Sequence, residues 1–154
     1  AYGVSFAVAA ADTWASEVGV LSKRKPINIL NLKPLEAGMS GGISLLGTTF
    51  AFLGSLFISL IHFILNIIIF RDIKEGLIYS IYCLLIGFLG AVIDSLLGAS
   101  LQAQYYCEEL NTITEKRFYK GKINKLIKGV SFINNDIVNL SSNLISTLII
   151  FIII

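Results

Sequence analysis

Four long apolar stretches, at roughly residues 1–21, 43–70, 77–104 and 137–154, constrain this 154-residue chain more than any other feature. A hydrocarbon core about 30 Å thick needs about 20 mainly apolar residues in a helix to cross it, and each stretch reaches or approaches that length. The expected fold class is therefore all-α, a polytopic integral membrane helical bundle of about four spans forming a single transmembrane domain over residues 1–154. Composition agrees: 55% of residues are hydrophobic and 14% charged, where soluble domains carry about 25% charged residues. The formal charge of +2 is too small to point to nucleic acid as a partner. The stretch 43–70 would be about 42 Å long as one helix, so it must tilt or begin outside the hydrocarbon. The chain opens at Ala1 directly into apolar sequence with no charged leader segment, which reads as the C-terminal portion of a longer protein.

The charges separate by segment. Lys23, Arg24, Lys25 and Lys33 lie between the first two stretches, Arg71 and Lys74 between the second and third, and Lys116, Arg117, Lys120, Lys122, Lys125 and Lys128 between the third and fourth. Alternating spans put ten basic residues on one side and two on the other, and the positive-inside rule makes the ten-residue side cytoplasmic. Such loops also neighbour anionic headgroups or phosphates. The richness in Ile, Lys and Asn suggests an AT-rich genome and an archaeal or bacterial plasma membrane.

Small residues recur at helical spacing. Gly87, Ala91, Asp94, Gly98 and Gln102 fall within about 80° of one another at 100° per residue, a narrow small and polar stripe that faces protein. Ser44, Gly47, Ala51 and Gly54 form a second such stripe, as expected where helix backbones approach closely.

Acidic residues inside apolar spans are costly and need compensation. Asp12, Glu17 and Asp94 are in this position. Asp12 with Ser16, and Thr13 with Glu17, make i,i+4 pairs that give the first span a polar face. The segment Ala37-Gly38-Met39-Ser40-Gly41-Gly42 leads from the first basic loop into the second span, where glycines and helix N–H groups can meet an anion; it matches neither the P-loop nor the dinucleotide pattern. Asn135, Asp136 and Asn139 enter the fourth span from the same side. Carboxylates and carboxamides beside basic loops are hard-oxygen donors suited to Mg²⁺ bridging to a phosphate. His62, alone on an apolar face, is read as a packing or interfacial residue, and Cys83 and Cys107 have neither metal nor redox spacing. Trp14, Tyr105 and Tyr106 are read as interface anchors. The same carboxylates would serve a transporter or channel subunit that binds an ion or relays protons.

The strings Ala-Asp-Thr-Trp-Ala-Ser-Glu-Val-Gly (11–19), Gly-Met-Ser-Gly-Gly-Ile-Ser-Leu-Leu-Gly (38–47), Gly-Ala-Val-Ile-Asp-Ser-Leu-Leu-Gly-Ala-Ser-Leu-Gln (90–102) and Asn-Asn-Asp-Ile-Val-Asn (134–139) resemble, in order and spacing, the integral membrane family named after transmembrane protein nineteen, formerly domain of unknown function ninety-two. Met39 departs from the Thr or similar residue of the family pattern. Asp12 to Gly19 also resembles, more loosely, the Asp-x-x-Ala-x-x-x-Gly pattern of CTP-using membrane enzymes. The family includes a plant phytyl-phosphate kinase. The resemblance thus implies phosphoryl transfer from a nucleotide, CTP or another, to an isoprenoid (phytyl or prenyl) monophosphate, with Mg²⁺ as cofactor. On that implication Asp12, Glu17, Asp94 and Asp136 are the catalytic residues, with Asp12, Asp94 and Asp136 holding the metal. Ser40, Gly41, Gly42, Gln102, Asn135 and Asn139 would bind substrate and its phosphate, with Lys23, Arg24 and Lys33 neutralising charge. The isoprenoid tail would then lie between spans along the small-residue stripes.

Overall fold

A computed structural model describes residues 1–153. Among these, four helices run Tyr2–Gly19 (α1), Leu45–Phe70 (α2), Ile73–Leu101 (α3) and Asn135–Ile153 (α4). All four expected spans are helices; Ile154, the last residue of the fourth, lies outside the described residues. By length and apolarity α2, α3 and α4 can each cross a membrane. The 18-residue α1, with Asp12 and Glu17 in its second half, packs against all three.

Local chemistry sets the ends of these helices. Ser44, in extended conformation, caps α2 by accepting the Gly47 N–H at 3.0 Å. Arg71 closes α2 in the left-handed conformation, and Asp72 opens α3 by accepting the Glu75 N–H at 2.9 Å. Two residues thus join α2 to α3, and the Asp72 cap starts α3 four residues earlier than its apolar stretch, so Lys74 lies in the helix rather than in a loop. At α4 the Asn134 side chain accepts the Ile137 N–H at 3.0 Å.

Both stripes of small residues are interior. Gly87, Ala91, Asp94, Gly98 and Gln102 are all buried, as are Gly47, Ala51 and Gly54. Backbones occupy the space a tail would need, which corrects the expectation of an isoprenoid between the spans: Gly54 abuts the Ala10 carbonyl and Ala11 of α1, and Gly90 abuts Val8. A Cβ at Gly54 would stand 2.7 Å from the Ala10 carbonyl oxygen. Gly54→Ala is accordingly expected to cost about 1–3 kcal/mol, read as a fall of several degrees in the thermal unfolding midpoint of the detergent-solubilised protein. Trp14 stacks on Phe57 with centroids 5.7 Å apart and Phe52 meets Phe88 edge-on. Ser5 and Asn143 exchange two hydrogen bonds, at 2.8 and 2.9 Å, between α1 and α4.

The two basic loops are not irregular. The first forms a short antiparallel pair, Ile27–Asn28 (β1) with Gly42–Ile43 (β2). The second carries Gln104–Cys107 (β3), Thr112–Thr114 (β4), Phe118–Tyr119 (β5), Lys122–Ile123 (β6) and Lys125–Lys128 (β7), with a three-stranded antiparallel sheet ordered β4-β3-β7 and a β5-β6 hairpin. The alternation Thr112-Ile113-Thr114 and the Gly121 turn, at φ +80°, supply the β signal. Tyr105 is 4% exposed in the centre of this sheet, its hydroxyl donating to the Ser131 carbonyl at 3.1 Å, and Tyr106 donates to Asn111. Strand pairing thus places both tyrosines in the sheet instead of leaving them as membrane anchors.

Candidate functional site

The C-terminal half of α1, the β1–β2 segment, the start of α2, the middle of α3 and the start of α4 enclose a cavity of about 780 Å³ at one end of the bundle. The two basic segments meet at this end, since Ser40 of the first bonds Glu115 of the second. Asp12, Glu17, Ser40, Gly41, Gly42, Asp94, Asn135 and Asn139 all line the cavity, which brings together residues from four distant stretches of chain.

Its floor is a carboxyl pair. The side chains of Asp12 on α1 and Asp94 on α3 lie within hydrogen-bonding reach of each other. From α4, Ser142 Oγ donates to Asp94 Oδ2 at 2.9 Å. The Asn139 amide, oriented as its neighbours require, donates to the same oxygen at 2.9 Å and to the Asn135 carbonyl at 3.1 Å. Two carboxylates so close repel unless a proton or a cation lies between them. Asp94 therefore has neutral donors on one side and Asp12 on the other. Ser16 spends its hydroxyl on the Asp12 and Thr13 carbonyls, at 3.0 Å each, so it does not bond the Asp12 carboxyl despite the i,i+4 spacing. Glu17 is exposed at the rim.

The wall facing the pair is the glycine segment. Gly38 and Gly41 have φ of +83° and +77°, a region that favours glycine. Gly41 is also pressed against Ala99 of α3. The Gly41 carbonyl accepts the Ile29 N–H at 3.0 Å, tying the segment to the β1–β2 pair. The Ser44 side chain already caps the start of α2, the Gly42 N–H closes a turn onto the Met39 carbonyl at 3.2 Å, and the Ser40 N–H and hydroxyl, on the cavity wall, are given to Glu115.

Other sequence-selected residues lie elsewhere. Asp136 is exposed in the first turn of α4, where an acidic side chain suits the helix dipole, and does not line the cavity. Lys23, Arg24 and Lys33 are exposed and also outside the lining. Gln102 is buried just beyond α3 and reaches the site only through Glu115, to which its Nε2 donates at 2.7 Å. Glu115 itself lines the cavity and accepts from Ser40 N at 2.7 Å and Ser40 Oγ at 3.1 Å. Sequence reasoning missed it; the one signal was an acidic residue closing the Thr-Ile-Thr alternation in a lysine-rich loop that also carries Glu108 and Glu109. His62 lies away from the cavity, contacting Ser80 Oγ at 3.2 Å and packing against Gly3.

Among the described residues no three His, Cys, Asp or Glu side chains come together as a metal cage. The oxygens present, two carboxyls with hydroxyl and carboxamide groups, nevertheless fit Mg²⁺, which uses one or two carboxylates and takes its other ligands from water and substrate.

The same four strings that build this cavity lie inside a stretch, residues 1–147, matched by the family described as Integral membrane protein DUF92. The chain belongs to that family. Protein PGR of Arabidopsis thaliana is 32% identical to it over 141 residues, covering 88% of this chain and 48% of the plant protein. An uncharacterized membrane protein of Methanocaldococcus jannaschii is 38% identical over 98 residues, covering 64% of this chain and 38% of the relative. The chain thus spans about half the length, or less, of these two relatives. No solved structure matches it.

Proposed function

We propose that the cavity belongs to an integral membrane enzyme that transfers the terminal phosphoryl group of a nucleotide, CTP foremost, to an isoprenoid monophosphate. One P–O bond, to the nucleotide's β-phosphate, breaks. One forms to an oxygen of the prenyl phosphate, leaving a nucleoside diphosphate and a prenyl diphosphate. The observation that carries this reading is the Asp12–Asp94 pair facing the Ser40–Gly42 segment across one cavity at a bundle end. Phosphoryl transfer asks a protein mainly for positioning and charge neutralisation. Ser40 and the N–H group of Gly41 would supply donors for phosphate oxygens, with Gly42 letting the backbone approach closely; Asp12 and Asp94 would hold Mg²⁺, with Asn139 and Ser142 orienting Asp94. Bound Mg²⁺ would neutralise charge on the transferring group. Phe88 and Val92, half-buried on α3 at the cavity wall, offer the tail an apolar surface. On this reading the basic segments face the cytoplasm of an archaeal or bacterial cell.

The test uses the full-length protein in lipid nanodiscs with CTP, Mg²⁺ and phytyl phosphate. The expected result is CDP formation that needs both phytyl phosphate and Mg²⁺. Absence of nucleotide consumption across several nucleotides and prenyl phosphates would overturn it. A transporter is the second reading, favoured by the lack of a third carboxyl beside the Asp12–Asp94 pair among the described residues; it predicts ion- or pH-driven flux in liposomes without nucleotide.

A further inference from the structure

Glu115 has a bonding pattern unlike that of any other acidic side chain in the chain's basic segments. Its two oxygens collect three donors, from Ser40 N at 2.7 Å, Ser40 Oγ at 3.1 Å and Gln102 Nε2 at 2.7 Å. Neither ion pair found among the described residues, Lys25–Glu36 and Lys122–Glu109, involves it. In a loop with six basic residues, this carboxylate is answered by a backbone N–H, a hydroxyl and an amide. Such neutral, converging donors are how proteins hold oxyanions without regard to their source. Gln102 is built in for this purpose: it is 2% exposed, its Nε2 is given to Glu115, and its Oε1 has no partner. A buried amide oxygen left unpaired is costly, and the bond to Glu115 is what the Gln102 side chain gains.

We propose that Ser40 and Gln102 form an oxyanion seat which Glu115 fills as an internal stand-in for phosphate, and that the carboxylate leaves when a phosphorylated ligand enters. This rests on the phosphate-binding reading of the glycine segment and adds its regulation. Both requirements of such a device are met. The seat opens on the cavity, since Ser40 and Glu115 both line it. The occupant can also withdraw without unzipping the sheet: β4 pairing ends at Thr114, and Glu115 precedes the point where Asn124 holds the Lys116 and Arg117 carbonyls at 2.8 Å each, so its exit breaks no ladder hydrogen bond. A phosphate brings more charge and more oxygens to the same donors, so it displaces a single carboxylate. With the seat closed, both Ser40 donors are spent on Glu115 and closed to adventitious small anions; the apparent affinity for a true ligand is lowered by the fraction of time the seat is taken.

Pyrophosphate, as a probe free of any lipid tail or base, tests this by calorimetric titration of the full-length protein in detergent. Glu115→Gln, which keeps the shape and removes the charge, is expected to bind it about tenfold more tightly than wild type, and Glu115→Ala at least as tightly. In the unmutated protein, amide hydrogen exchange over residues 112–117 is expected to speed up when pyrophosphate is added. Unchanged or weaker binding in both variants, with no change in exchange in the wild type, would make Glu115 a structural clasp and overturn the proposal. Failure of all three proteins to bind pyrophosphate would overturn it together with the phosphate reading. Tighter binding in a protein that turns over no prenyl phosphate keeps the seat and removes only the kinase.

Discussion

Asp94→Asn is expected to lower turnover of nucleotide and prenyl phosphate by about 100-fold or more, the scale seen when a group that meets transition-state charge is removed, while leaving the bundle folded. Asparagine has the same shape and keeps an oxygen to accept from Ser142 and Asn139, which now donate to Asp94 Oδ2 at 2.9 Å each. What it loses is the negative charge beside Asp12. Asp12→Asn should lower the rate on the same scale, and the double variant should be little worse than either single one, because groups that act as a unit are non-additive. The measurement is single-turnover kinetics over a Mg²⁺ titration, with circular dichroism and thermal midpoint confirming the fold. Asp136→Asn belongs in the same series: exposed and away from the cavity, it should stay within a few-fold of wild type. If Asp136→Asn is as damaging as Asp94→Asn, the proposed donor set is wrong.

Gly41→Val should be the most damaging change in the glycine segment. At φ +77° a β-branched residue is strained, and the new side chain would also collide with Ala99 on α3. The segment must then move away from α3, taking Ser40 with it, and a displacement near 1 Å of a positioning group can cost about 100-fold in rate. Gly38 gives the contrast. Its φ is +83°, but a Cβ there meets nothing within 4 Å, so Gly38→Asn, a residue that tolerates this conformation, should bind pyrophosphate within a few-fold of wild type. Titration of both variants separates a crowded hinge from a free one; equal losses would show that backbone conformation alone, and not the Ala99 contact, positions Ser40.

Helix existence followed from apolar length, and the interior faces of α2 and α3 from the spacing of Gly47, Ala51, Gly54 and of Gly87, Ala91, Asp94, Gly98, because both signals are periodic and local. The sheet did not follow. Its strands are two to four residues long, too short for a period-two pattern to stand out among lysines. The site was readable where polarity is anomalous: Asp12 and Asp94 stand out because each lies in an apolar helix. Glu115 is an ordinary acidic residue in a polar loop, and only a contact across 75 positions makes it part of the site. Asp136 shows the converse error. Its neighbour Asn139 turns inward to Asp94, while a 60° rotation around α4 leaves Asp136 outward.

The dependence of Asp94 on α4 has a consequence during biosynthesis. Ser142 and Asn139 are translated after the helix they serve, so a nascent chain that has inserted α3 but not yet α4 exposes a half-solvated acid to the bilayer interior, a burden of a few kcal/mol. Completion of α4 removes that burden. Released chains truncated ahead of residue 135 should therefore be cleared from the membrane faster than the finished bundle, a difference that a pulse-chase comparison of the two reads out.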